Sequence, residues 1–203
     1  MLDPLMVRLI APPINSLGRT LAERGVTANS ITVLGFTLGL CALPALALQA
    51  PTSALAFIVL NRIFDGLDGA VARASSPTDF GAYLDIVLDF IFYAAVVVGF
   101  ALFDEDNTVI SLLLLASFIG TGTSFLGYAI VAAKRGVETT TRGQKSFFYS
   151  GGLAEGTETI LFFGVICLRP DWFVPASVIF MALCWITVGM RIAQAYVAFG
   201  RGK

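Results

Sequence analysis

Long, predominantly apolar runs take up most of this chain and restrict it to a membrane fold. A helix needs about 20 mostly apolar residues to cross the core of a bilayer. Six segments of about that length are separated by prolines, glycines or charged residues, and only 13% of the 203 residues are charged. We therefore predict an all-α integral membrane protein with six transmembrane helices, at 31–50, 53–74, 80–103, 108–133, 150–168 and 174–198.

The first 26 residues differ from the rest. They lack the short apolar core and small-residue cleavage site of a signal peptide. We expect residues 1–26 to form an amphipathic segment at the membrane surface, broken by Pro12 and Pro13, and residues 27–203 to form one six-span domain.

The basic residues predict the orientation of the chain. Of 13 lysines and arginines, 11 fall on the side of the two termini, one falls on the other side and one, Arg62, lies within a span. Basic residues favour the cytoplasmic side. We therefore expect a protein of the cytoplasmic (inner) membrane, with both termini cytoplasmic.

Composition also excludes several classes of function. The chain has no histidine, which removes histidine-based acid–base catalysis and histidine-ligated metals. Its three cysteines lack the spacing of a thiolate site. A net charge of −1 gives no electrostatic footprint for nucleic acid.

Four aspartates near the cytoplasmic ends of the second and third predicted spans are the main candidates for chemistry. Asp65 and Asp68 are three residues apart and Asp85 and Asp89 four apart, so each pair lies on one helical face. A short turn around Pro77 makes the two helices antiparallel neighbours. The sequence therefore predicts that all four carboxylates converge at one depth.

Four anions near hydrocarbon require neutralisation, because even one buried carboxylate is costly. Oxygen ligands favour hard divalent ions such as Mg²⁺, Mn²⁺ or Ca²⁺, and two such ions can grip a diphosphate. Two alternatives stay open. The aspartates could be structural partners of Arg62 or Arg73, or they could line the path of a divalent-cation transporter. The apolar outer halves of both spans argue against a transport path.

These residues resemble a known family. The stretch Asp65-Gly66-Leu67-Asp68-Gly69-Ala70-Val71-Ala72-Arg73, followed by Gly81-Ala82-Tyr83-Leu84-Asp85-Ile86-Val87-Leu88-Asp89, is similar to the CDP-alcohol phosphatidyltransferase signature DxxDGxxAR and GxxxDxxxD. Two departures are that residues 74–80 are one fewer than usual and that Ala28 replaces the usual proline before Asn29. The family has six spans, a surface helix at the N-terminus and a site at the cytoplasmic face.

The resemblance implies a reaction and roles in it. The enzyme would move a phosphatidyl group from CDP-diacylglycerol to a small alcohol and release CMP, using two Mg²⁺ or Mn²⁺ ions. Asp65, Asp68 and Asp85 would hold metal, and Asp89 would lie near the second metal and act as general base. Further residues would shape the pocket for cytidine diphosphate, namely Gly69, Ala72, Arg73, Gly81 and Asn29. A homodimer is also implied. A member without catalysis is not favoured, because no motif residue is missing.

The acceptor side is less constrained. Basic residues in corresponding regions of related enzymes bind an acceptor phosphate, which makes Lys134, Arg135 and Arg191 candidates and glycerol 3-phosphate the favoured acceptor. Arg142 and Lys145 are expected to contact lipid headgroups. Glu155 and Glu158, expected inside the fifth span, either pair with Arg191 or Lys145 or face the acceptor.

Overall fold

In a computed structural model, which describes residues 3–136 and 152–200, the predicted all-helical class is confirmed. The described residues form eight α-helices and two short 3₁₀ turns. The α-helices are α1 (Asp3–Glu23), α2 (Ala28–Leu40), α3 (Ala42–Ala47), α4 (Pro51–Ala74), α5 (Asp79–Phe103), α6 (Thr108–Lys134), α7 (Gly156–Leu168) and α8 (Phe173–Phe199).

Among the described residues, four helical segments are long and apolar enough to cross a membrane. They are Ala28–Ala47, Asp79–Phe103, Glu105–Lys134 and Pro170–Phe199. The chain is therefore a multi-pass membrane protein. Two of the six predicted spans stay predictions, because α4 carries four charged side chains and α7 has only 13 residues, or about 20 Å of helix against a core of about 30 Å.

The N-terminal helix contradicts one expectation. Pro12 and Pro13 were expected to break the first segment, but α1 continues through both. An interior proline costs about 3 kcal/mol, and packing of α1 against α4 offsets that cost. At the crossing, a Cβ built on Gly18 would lie 2.6 Å from the Ala70 Cβ, so only glycine allows this approach. Ile14 and Leu21 pack nearby, against a small cluster of buried side chains.

Two N-caps place residues that prove important at the site. The Thr27 hydroxyl accepts a hydrogen bond from the Ser30 amide at 3.2 Å, which fixes the start of α2 and puts Asn29 in its first turn. The Thr78 hydroxyl accepts one from the Gly81 amide at 3.0 Å and does the same for α5. Threonine is a preferred N-cap because its oxygen satisfies an amide that has no partner within the helix.

The start of α7 corrects the predicted fifth span. That span was expected to begin at 150 with both glutamates inside it. Instead Glu155 is the N-cap residue of α7, in an extended backbone conformation, and Glu158 lies in the first turn. The Gly152 amide donates to Glu155 Oε1 at 2.6 Å. The helix begins late because carboxylates are stabilised at a helix N-terminus.

A large apolar core lies at the ends of α4 and α5 away from the aspartates. It packs these halves of the two helices against the other helices. Stacked rings mark it: Phe162 lies 4.6 Å from Phe180, and Phe100 lies 4.8 Å from Phe173, between ring centroids. Ile58, Phe92 and Val96 are fully buried, and a fully buried aromatic or aliphatic side chain stabilises a fold by about 1.5–3 kcal/mol. This core holds α4 and α5 side by side and thereby aligns their polar ends.

Candidate active site

The four aspartates line one small cavity between α4 and α5. Only residues 75–78 connect the two helices, so their polar ends lie at the same level. The side chains of Asp65 and Asp85 contact each other across the helix pair. The enclosed space is about 10 Å³, which is about the room that one water needs. The predicted convergence of the carboxylates is thus observed.

Asp68 is oriented by a hydroxyl that sequence reasoning missed. Thr32 Oγ1, on α2, donates to Asp68 Oδ2 at 2.6 Å, and only 6% of Asp68 is exposed. A charge-assisted hydrogen bond of this length fixes the direction of a carboxylate. The sequence did contain a signal that Thr32 belongs to the site, because Thr32 follows Asn29 by three residues and therefore lies on the same face of α2.

Asp89 is held by two side chains. The Arg62 guanidinium donates to both carboxylate oxygens, at 2.5 Å from Nη2 and 3.2 Å from Nη1. The Tyr93 hydroxyl donates to Oδ2 at 3.2 Å. Arg62 also lies 3.5 Å from Asp65, so the pairing of Arg62 with these aspartates is confirmed. Tyr93 was missed, although it follows Asp89 by one helical turn.

A larger cavity opens on the side of α1 and α2. It has a volume of about 630 Å³, within the usual range for ligand sites, and Asp68 and Asp85 form part of its wall. Four of the five residues expected to bind CDP also line it: Asn29, Gly69, Ala72 and Gly81.

Glycine at one position of this wall leaves room for the Asn29 side chain. A Cβ built on Gly81 would lie 2.9 Å from Asn29 Oδ1. The fifth expected residue, Arg73, does not line the cavity, and its Nη2 donates to Asn15 on α1 at 3.0 Å. Its role toward CDP stays a prediction.

A second cavity, of about 300 Å³, lies on the opposite side of Asp85 and Asp89. Four aromatic side chains form part of its wall, namely Phe90, Tyr93, Phe118 and Phe125. Polar groups enter from α6, α7 and α8 at Thr121, Glu155 and Arg191. The Arg191 guanidinium donates to the Thr121 carbonyl at 2.8 Å and lies 5.5 Å from the Phe125 ring centroid.

The other candidates for acceptor binding lie elsewhere. Lys134 is the exposed last residue of α6. Arg135 donates to the carbonyls of Ala198 and Phe199, at 3.4 and 3.0 Å, and so caps the C-terminus of α8. Glu158 does not line the second cavity. Acceptor binding by these three residues stays a prediction, and Arg142 and Lys145 lie outside the described residues.

The donor atoms around the small cavity suit a hard divalent cation. Carboxylate and hydroxyl oxygens line it, and such oxygens are the ligands that Mg²⁺ and Mn²⁺ prefer. Within the described part of the chain, no three acidic or cysteine side chains are already drawn together as a ligand shell. Asp89 is engaged by Arg62, so its carboxylate must turn or share its oxygens before it contacts a metal.

Comparisons with known proteins agree with this arrangement. The family model for CDP-alcohol phosphatidyltransferase matches residues 25–193. The chain is 48% identical over 198 residues to inner membrane protein YnjF of Escherichia coli (strain K12), which covers 97% of this chain and 96% of that protein. It is 35% identical over 94 residues to archaetidylinositol phosphate synthase of Pyrococcus horikoshii, which covers 46% of this chain and 50% of that protein.

Solved structures share the fold. Phosphatidylinositol phosphate synthase (PgsA1) of Mycobacterium tuberculosis with CDP-DAG bound has a TM-score of 0.75 and 21% identity, covering 94% of this chain and 97% of that one. The same protein in complex with manganese and citrate has a TM-score of 0.71 and 23% identity, covering 94% and 92%. With the complete aspartate signature around one cavity and a family model that matches most of its length, this chain belongs to the CDP-alcohol phosphatidyltransferase family.

Proposed function

We propose that the protein transfers a phosphatidyl group from CDP-diacylglycerol to a hydroxyl group of a phosphorylated polyol and releases CMP. The observation that carries this proposal is the position of Asp85, which lines the aspartate cavity and both larger cavities. A donor in the 630 Å³ cavity and an acceptor in the 300 Å³ cavity would therefore meet at the carboxylates.

The donor side is assigned to the larger cavity. Gly69, Ala72 and Gly81 keep its wall free of bulky side chains, and Asn29 adds an amide that can donate to or accept from a polar ligand. Asp65, Asp68 and Asp85 would hold Mg²⁺ or Mn²⁺. The bound ions would supply positive charge for the diphosphate and for the departing CMP.

The chemical step needs a base at the boundary of the two cavities. The acceptor hydroxyl oxygen attacks the phosphorus that carries the diacylglycerol, and the bond from this phosphorus to the oxygen of CMP breaks. The hydroxyl proton passes to Asp89, which lines both the aspartate cavity and the acceptor cavity. A positioned base of this kind contributes about 10²–10⁴-fold to a rate.

The acceptor is assigned from the second cavity. Arg191 is the basic side chain in its described wall, and a guanidinium binds phosphate through paired donors. Glu155 can accept hydrogen bonds from hydroxyl groups of a polyol. Both features suit a phosphorylated polyol better than a simple alcohol. The archaeal relative and the proteins of the solved structures are named as inositol phosphate lipid synthases, so we favour an inositol phosphate over glycerol 3-phosphate, the acceptor favoured from sequence.

The cellular setting follows the same reasoning. The positive-inside distribution supports a cytoplasmic position for the termini and the site, and the Escherichia coli relative is named an inner membrane protein. We therefore place the protein in the cytoplasmic (inner) membrane with six spans, in contact with membrane lipids, and expect a homodimer from the family. The transporter alternative is disfavoured, because fully buried Ile58, Phe92 and Val96 fill the region that an ion would have to cross.

A panel of acceptors tests the proposal. Purified protein with CDP-diacylglycerol and Mn²⁺ is given inositol phosphate, glycerol 3-phosphate, inositol, glycerol or serine, and CMP is measured. We expect release with inositol phosphate and little with unphosphorylated alcohols. Arg191→Gln should raise KM for the phosphorylated acceptor by about tenfold or more and leave KM for CDP-diacylglycerol unchanged. Equal rates with inositol and inositol phosphate would refute the assignment of Arg191.

A further inference from the structure

Arg62 is a basic side chain in the middle of α4, and the proposed reaction does not yet use it. Its side chain is 17% exposed and meets Asp89, 28% exposed, through two parallel hydrogen bonds. Fork-to-carboxylate pairs of this kind fix the orientation of both groups. Arginines inside membrane proteins are rare and energetically costly. A role for Arg62 is therefore needed to explain why the chain places it here and surrounds it with partners.

The guanidinium is held from every side that the structure describes. Asn61 Oδ1 accepts from Nε at 2.8 Å and from Nη2 at 2.5 Å, and Asn61 itself donates to the Gly35 carbonyl on α2 at 3.1 Å. The rings of Phe92 and Tyr93 lie 5.1 and 5.4 Å from the guanidinium carbon. Arg62 is therefore a fixed cation with little freedom to leave Asp89.

We propose that Arg62 is a positioning residue, a fixed cation that orients Asp89 toward the acceptor and competes with divalent metal for that carboxylate. This inference rests on the proposed function, in which Asp89 takes the acceptor proton. A positive charge 2.5 Å from Asp89 and 3.5 Å from Asp65 repels an incoming dication. The same fork keeps the Asp89 oxygens at the wall of the acceptor cavity. The charge of Arg62 therefore lowers metal affinity, and its paired hydrogen bonds to Asp89 support turnover.

Opposite changes in two measurements test the proposal. Mn²⁺ binding is titrated by electron paramagnetic resonance on purified protein without CDP-lipid, and kcat for CMP release is measured separately. For Arg62→Gln we expect Mn²⁺ to bind about tenfold tighter or more, because the competing charge is gone, while kcat falls about a hundredfold. A merely structural role would weaken both.

Conservative variants keep the test decisive if Arg62→Gln folds poorly. Arg62→Lys keeps the charge and loses the fork, so Mn²⁺ affinity should stay within about twofold of wild type while kcat still falls. Tyr93→Phe removes only a hydroxyl and should give the same pattern. The matched control is Arg169→Gln, an exposed arginine beyond the end of α7, which should change neither quantity.

The outcomes separate this proposal from the proposed reaction. Unchanged or weaker Mn²⁺ binding in a folded Arg62→Gln variant overturns the role of Arg62, whatever the transferase activity. Tighter Mn²⁺ binding in a preparation whose wild type releases no CMP with any acceptor supports the competition and overturns the proposed reaction.

Discussion

The hydrogen bond from Thr32 to Asp68 gives a quantitative prediction. Thr32→Val keeps the shape of the side chain and removes the hydroxyl that donates at 2.6 Å. Asp68 is buried, so solvent cannot easily replace the lost donor. Its carboxylate would then be free to rotate away from the direction in which it is proposed to hold metal.

The size of the effect follows from the kind of bond. A hydrogen bond to a charged group is worth about 1.5–3 kcal/mol, or about a tenfold to hundredfold change in an equilibrium constant. Removing a group that orients a metal ligand costs about the same in affinity or activity. We therefore expect Thr32→Val to weaken Mn²⁺ binding and lower kcat/KM for CDP-diacylglycerol by about 10–100-fold, and Thr32→Ser to restore most of both.

Thr37 provides the matched control on the same helix. The hydroxyls of Thr32 and Thr37 both lie within hydrogen-bond distance of a backbone carbonyl four residues earlier, at 3.1 and 2.8 Å, but no described bond joins Thr37 to an aspartate. Thr37→Val should therefore leave Mn²⁺ affinity within about twofold of wild type. Equal losses in the two valine variants, or a Thr32→Val enzyme that matches wild type, would refute the reasoning.

Three further predictions concern other parts of the molecule. Gly18→Val forces α1 away from Ala70 and should lower the free energy of unfolding by about 1–3 kcal/mol, measured by thermal unfolding. Gly127→Ala, with open space around its Cβ, should not, and equal melting temperatures of the two variants would contradict the packing. Arg135→Gln removes the cap near Phe199 and should lower the melting temperature while KM for the acceptor stays within about twofold, and a large rise in that KM would instead support acceptor binding. Chelation by EDTA should abolish CMP release, with Mg²⁺ or Mn²⁺ restoring it, and chelator-resistant activity would contradict a metal site.

The aspartate site could be predicted because its geometry is local. Spacings of three and four residues fix which side chains share a helical face, and the short link after Ala74 leaves α4 and α5 little choice but to be neighbours. Convergence of Asp65 and Asp68 with Asp85 and Asp89 follows from those facts alone. The CDP cavity depends on one more local feature, the N-cap at Thr27 that puts Asn29 in the first turn of α2.

The partners of these aspartates could not be predicted, because they depend on contacts between distant segments. Thr32 reaches Asp68 only because α2 packs against α4. Arg62 had several acidic neighbours within reach, and the sequence did not reveal that its fork would close on Asp89 with help from Tyr93.

Two predictions about where helices begin or break were wrong. Hydropathy extended the fifth span back to 150, whereas α7 begins at Gly156 with Glu155 as its N-cap. Pro12 and Pro13 read as breakers, but contacts with α4 compensate for the amide donors that they lack. At the two prolines, tertiary packing overrode a local preference, whereas the start of α7 follows from the carboxylates at its N-terminus.

CMP release by wild type, Asp89→Asn and Asp104→Asn proteins tests the central claim most directly. Asp104 lies at the opposite end of α5 and accepts from the Asp106 amide at 3.0 Å, a cap that asparagine can retain. With CDP-diacylglycerol, Mn²⁺ and inositol phosphate, we predict equal release by wild type and Asp104→Asn, and a loss of at least about a hundredfold in Asp89→Asn. Release that does not depend on Asp89, or no release together with Mn²⁺ uptake into liposomes that Asp85→Ala abolishes, would contradict the account.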